Sequence, residues 1–147
     1  MAGTFTHLEI CNRAKSKRSV IGQELWKLLN ANYPFMLLGS VSPDLPYLSF
    51  KQGKTNWADV MHYERTNSVL ISGCEKLRKN WANRQAEDEA KLAWLMGYAS
   101  HLVIDATVHP VVKQIVGDYD SHKDEHRACE MTQDSILFRK WMRQDIK

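Results

Sequence analysis

The segment from Gln85 to Val108 constrains the fold of this chain more than any other. Its second half, Leu92-Ala93-Trp94-Leu95-Met96-Gly97-Tyr98-Ala99, is apolar nearly all round, and a helix apolar on every side has to be covered on every side. Its first turns are acidic at Glu87, Asp88 and Glu89, as suits the positive end of a helix dipole. The segment therefore predicts a helix that crosses the core. Elsewhere apolar residues recur at three- and four-residue spacing and strict alternation is nearly absent, so the expected fold class is all-α, a compact multi-helix bundle. A chain of 147 residues, 44% hydrophobic and 25% charged, fits one domain over 1–147 and excludes disordered and low-complexity classes.

The remaining elements follow from caps and breakers. Thr4 or Thr6 can cap a first helix running toward Lys17, and Gly22 opens a second in which Leu25, Trp26, Leu28 and Leu29 form the buried stripe before Asn32 and Pro34 stop it. Gly39-Ser40-Val41-Ser42-Pro43-Asp44-Leu45-Pro46-Tyr47, with two prolines, one glycine and two serines, predicts a shaped loop. Asn56 caps a helix beginning at Trp57, and 66–80 continues helical with Val69, Leu70 and Leu77 inward. Pro110 disfavours helix at His109, which predicts a break there. A last helix runs from about Ser121 with Ile136, Leu137, Phe138, Trp141 and Met142 as its apolar face, the expected cover for the segment from Leu92 to Val103. Trp57, Trp81, Trp94 and Trp141 read as core residues.

Several functional classes are excluded early. Cys11, Cys74 and Cys129 are odd in number and widely spaced, with no Cys-x-x-Cys pair, which fits a reducing compartment. A net charge of +3 gives no electrostatic argument for nucleic acid, and the basic run from Arg13 to Arg18 reads as a solvated helix end. No apolar stretch approaches the ~20 residues of a transmembrane segment. The opening Met1-Ala2-Gly3-Thr4-Phe5-Thr6-His7 is neither basic nor an apolar run, so no export signal is expected and the expected location is cytoplasmic.

The chemistry gathers on histidines and carboxylates. His101 and Asp105 stand four apart and share one helix face, with His109 four further on at the frayed end nearby. His126 and Glu130 repeat the pairing on the last helix. Nitrogen and carboxylate donors from two helices suit a zinc site in a bundle core, and Asp105, set between Ile104 and Ala106 on an apolar segment, needs a cation or strong hydrogen bonds. Asp59 and His122 are alternative ligands, read more simply as a helix-end charge and a solvated residue.

The pattern Gly97-Tyr98-Ala99-Ser100-His101, Asp105 and His109-Pro110, with the stretch from Phe35 to Asp44 and Trp57-Ala58-Asp59-Val60-Met61-His62-Tyr63, resembles the zinc-dependent phospholipase C family, relatives of the three-zinc single-strand nucleases. The resemblance implies that Asp44, His62, His101 and Asp105 hold one zinc ion, that His109, His126 and Glu130 hold a second, and that Asp105 bridges to a third bound by His7. Exported members complete that third site with a mature N-terminal Trp, which is lacking before His7, so the resemblance implies two or three ions. It further implies a phosphodiester hydrolase, with Asp44 beside the attacking water and a phospholipid or other small phosphodiester as substrate. A nuclease for single-stranded nucleic acid and a non-catalytic binding protein are the alternatives. Several members are much longer, so a second subunit in a homodimer is one source for a missing part of the substrate wall.

Overall fold

The computed structural model describes residues 2–48 and 55–142. Among them are eight α-helices and no strand: α1 (Thr4–Ser16), α2 (Arg18–Ile21), α3 (Gln23–Ala31), α4 (Tyr33–Val41), α5 (Thr55–Asp59), α6 (Ser68–Arg78), α7 (Ala86–Val116) and α8 (Lys123–Met142). The all-α fold is thus as expected. No helix among the described residues is long and apolar enough to cross a membrane.

The central helix is α7. It starts on a capping box in which the Asp88 carboxylate accepts from the Gln85 amide at 3.0 Å and the Gln85 side chain accepts from the Asp88 amide. It buries Ala93, Leu95, Gly97, Tyr98, His101, Ile104 and Asp105. The expected break at His109 is absent, because α7 runs through Pro110 to Val116. Proline removes the hydrogen bond to the carbonyl of Ala106, but Ala106 is exposed and water can take the lost donor's place.

The principal cover of the apolar half of α7 is α4, not the α8 face expected from the sequence. Two glycines make this possible. A Cβ on Gly39 would lie 2.0 Å from the Trp94 carbonyl oxygen, and one on Gly97 would lie 2.0 Å from that of Met36. The two backbones therefore cross in direct contact, and Trp94 Nε1 donates to Ser42 Oγ at 3.0 Å beside the crossing. Tyr33 and Pro34 open α4 instead of ending α3, since proline suits the first turn of a helix. The loop expected from Gly39 accordingly starts only at Ser42, after α4 has used Gly39, Ser40 and Val41.

The α3 stripe is as read, with Leu29 buried and Leu25 and Leu28 packed around Cys11, Met36 and Ala93. Asn56 lies inside α5 and does not cap it, and Trp57 is 65% exposed, which removes it from the core. On α8, Phe138 packs edge-on against Phe5, with ring centroids 5.1 Å apart, whereas Ile136 is exposed. The side chains of Trp141 and Met142 lie outside the described residues. At the end of α1 the basic run is solvated as expected, with Lys15 over the Tyr33 ring and Arg18 over that of Trp26.

Candidate metal centre

Four segments deliver polar side chains to one buried place. α7 supplies His101 and Asp105 one turn apart. The turn after α4 supplies Asp44. After α5 the helix widens into a π-turn, Val60–Glu64, closed by Arg65 N donating to the Val60 carbonyl at 2.8 Å, and His62 stands in it. Such single wide turns recur at functional sites because they re-aim a side chain that a regular helix would point elsewhere. α1 supplies His7, fully buried, its ring stacked on that of His101 at 4.0 Å and 13°.

Hydrogen bonding decides what these rings can do. His101 Nδ1 lies 2.8 Å from the Ser40 carbonyl, and His62 Nδ1 lies 2.7 Å from the Ala58 carbonyl. A carbonyl only accepts, so Nδ1 carries the proton in both rings and each neutral imidazole turns an Nε2 lone pair inward. Those two Nε2 atoms are 3.1 Å apart. They face acceptors: His62 Nε2 is 3.2 Å from Asp44 Oδ1 and 3.6 Å from Asp105 Oδ2, and His101 Nε2 is 3.3 Å from Asp105 Oδ2 and 3.8 Å from Asp44 Oδ1. Two lone pairs and two carboxylate oxygens converge with no proton to share among neutral rings, an arrangement that calls for a cation.

The tally of unmet polar atoms supports the same conclusion. Among the described residues, the buried side-chain nitrogens and oxygens without a hydrogen-bonding partner are His7 Nδ1, His7 Nε2, Asp44 Oδ1, Asp105 Oδ2 and His109 Nε2. All belong to this one centre, and leaving them unmet in a dry interior is costly. Nitrogen and carboxylate oxygen are the donor types zinc takes. The residues present therefore fit the ion.

Without an ion the carboxylates of the centre instead draw protons onto its imidazoles. Burial works against charge on Asp105, yet the imidazoles of His101 and His7 and the Ala2 amide, which donates to Asp105 Oδ1 at 3.0 Å, hold its carboxyl well below the ordinary range. Burial also opposes charge on His62, but the adjoining Asp44 and the Ala58 carbonyl outweigh it and raise its pKa. At His109, burial pulls the pKa down. Glu130 is pushed up by burial.

Donor atoms within 4.8 Å of one another form two groups, His7 with His101 and Asp105, and Asp44 with His62 and His101. His109, His126 and Glu130 stand in neither. His109 Nε2 lies 3.6 Å from Asp105 Oδ2, and His126 gives Nε2 to the Gly117 carbonyl at 2.7 Å, which leaves Nδ1 as its unprotonated nitrogen. Asp59 accepts from the Tyr47 hydroxyl at 2.8 Å, tying the Asp44 turn to the helix before His62. His122 lies on the Asp118 carbonyl at 3.2 Å, at the surface. A cavity of about 640 Å³ opens beside the centre, lined by Tyr63, His109, Pro110, Lys113, Tyr119 and His126 among others. The carbonyls of Ser40 and Ala58 and the amide of Ala2 had no signal in the sequence, being backbone groups.

The fold and site define a class: a helical protein with a clustered histidine and carboxylate metal centre at the edge of a cleft. The family model for zinc-dependent phospholipase C matches residues 6–147, and the chain belongs to that family. No curated protein and no solved structure matches it.

Proposed function

We propose that this protein is a zinc-dependent phosphodiester hydrolase of the phospholipase C type, formed by one domain over the whole chain. The observation that carries the reading is the pair of Nε2 lone pairs from His62 and His101 turned toward Asp44 and Asp105. In it Asp44, His62, His101 and Asp105 hold one ion, His7 joins Asp105 at another, and His109, His126 and Glu130 serve a third on the cleft side. Zinc bound there supplies Lewis acidity, lowering the pKa of a water and neutralising phosphate charge.

The chain's own residues do the rest. Asp44 is half-buried where the other carboxylate of the cluster is buried, so it is the one placed to take a proton from an approaching water. Asp105, buried and taking the Ala2 amide on Oδ1, is shut away from approaching water and so serves as a ligand instead of a proton carrier. Ser40 and Ala58 fix the tautomers of His101 and His62 through their carbonyls, so neither ring has to reorganise. The substrate enters the cleft lined by Tyr63, Tyr119 and Lys113, with the scissile phosphate toward His109. No side-chain nucleophile is required.

The test is zinc content of protein purified without chelator, followed by hydrolysis of a phosphatidylcholine analogue, single-stranded DNA and a bis-aryl phosphate. Turnover of the lipid analogue above the others supports the reading. Turnover of DNA alone moves the assignment to the nuclease branch, and zinc without turnover leaves a binding protein that has kept the fold.

A further inference from the structure

We infer that Asp134, outside the ligand set, is a positioning residue of the metal centre: its carboxylate holds the start of α1 and so sets where His7 meets Asp105. The inference rests on the zinc reading above. Gly3, the N-cap of α1, has no side chain with which to satisfy the first amides of the helix. Asp134 reaches across from α8 instead. Its Oδ2 accepts from Phe5 N at 2.9 Å, and its Oδ1 accepts from Thr6 N at 2.9 Å and from the Thr6 hydroxyl. A Cβ on Gly3 would lie 2.2 Å from the same carboxylate, so glycine at this position is what lets it seat.

Three observations make this more than an ordinary cap. First, His7 follows Thr6 directly and neither of its ring nitrogens has a hydrogen-bonding partner. With no hydrogen bond to fix the ring, the register of α1 decides its distance to Asp105 Oδ1, now 3.4 Å. Second, Ala2, on the other side of Gly3, donates to that same Oδ1. The latch at Gly3, Phe5 and Thr6 is thus flanked on both sides by groups that touch Asp105. Third, His126, Glu130 and Asp134 are spaced four apart and share one face of α8. One carboxylate therefore fastens the α8 face bearing two proposed ligands to the helix bearing another.

The experiment uses the full chain as Asp134→Asn, which keeps the shape and removes the charge, and separately as Thr6→Val, which removes only the hydroxyl contact. Each is loaded with zinc and dialysed against graded chelator, with bound zinc per protein measured and melting recorded with and without the ion. The expected result for Asp134→Asn is that the most weakly held zinc leaves at an affinity about 10–100-fold below that in the parent, as for other residues that orient ligands. Excess zinc should restore it. Melting should fall further in zinc than in chelator, and Thr6→Val should shift zinc release in the same direction by less. An equal fall in melting under both conditions with an unchanged zinc profile would overturn the inference, as would an unchanged profile in Thr6→Val if Asp134→Asn does not fold. A parent protein that takes up no zinc would overturn the metal reading itself, and this inference with it.

Discussion

Replacing Gly97 by alanine tests how the α4 and α7 crossing supports the centre. The new Cβ would sit 2.0 Å from the Met36 carbonyl oxygen and 2.8 Å from Ser40 N, both backbone atoms that no rotamer change can move. Reaching the 3.4 Å of ordinary contact requires α4 to retreat by about 1.4 Å. The Ser40 carbonyl moves with it, stretching its 2.8 Å bond from His101 Nδ1 to about 4 Å, beyond hydrogen-bond reach. Overpacking of this kind costs about 1–3 kcal/mol, with backbone overlap at the upper end, and an orphaned buried donor adds about 1–3 kcal/mol. Against this stands a gain of about 1 kcal/mol in helix propensity. A net loss of roughly 3 kcal/mol lowers Tm by about 10 °C in a chain of this size.

Gly73→Ala is the matched control. Its Cβ would meet Leu95 Cδ2 at 2.6 Å, the far end of a side chain that can rotate away, so the propensity gain offsets most of the cost. Thermal melts of both variants, with zinc content measured alongside, give the answer. If Gly97→Ala melts within about 2 °C of the parent and binds zinc as the parent does, the crossing does not hold the centre and the reasoning fails.

Asp105→Asn is expected to lose zinc and phosphodiester hydrolysis while keeping its helical circular dichroism in excess zinc, and Glu125→Gln, exposed on α8, to retain both; full activity in Asp105→Asn refutes the assignment. Chelation is expected to lower Tm, with zinc restoring it, because the clustered carboxylates of Asp44 and Asp105 otherwise repel each other and an ion bound only by the folded set adds its binding free energy to folding. In the metal-free protein the His62 pKa is raised above 6.5, so its contribution is full below that pH and is lost as pH rises through the raised value. Tm in chelator should therefore decline from pH 6 toward pH 8 by an increment that His62→Gln removes, read by melts across that range. Pro110→Ala is expected to raise Tm by restoring a donor to Ala106 in an unbroken helix, and an unchanged or lower melt counts against a continuous α7.

The parts of this molecule legible in advance are those written in side-chain pattern. The burial of α7 followed from its all-round apolarity, and the convergence of Asp44, His62, His101 and Asp105 from a resemblance carried on those residues. What stayed hidden depended on backbone. Gly39 reads as a breaker and Gly97 as one more member of an apolar run, yet each is the absence of a side chain where another helix passes, so α4 and not α8 became the partner of α7. The continuation through Pro110 turned on whether one carbonyl faces water, which a local rule cannot see. Asp134 was not distinguished from other surface acids because its partners lie at the opposite end of the chain, 128 and 129 residues away.

The Ser40 and His101 hydrogen bond spans 61 positions along the chain, and that of Ala2 with Asp105 spans 103. Closing loops of such length precedes any reward from the contacts that they bring together, so the ligand set is expected to assemble late in folding. An ion that recognises only the finished set has little to hold at the folding barrier. Zinc should therefore leave the rate of folding almost untouched and slow the rate of unfolding, and the lifetime of the native protein becomes tied to the lifetime of its slowest-leaving ion.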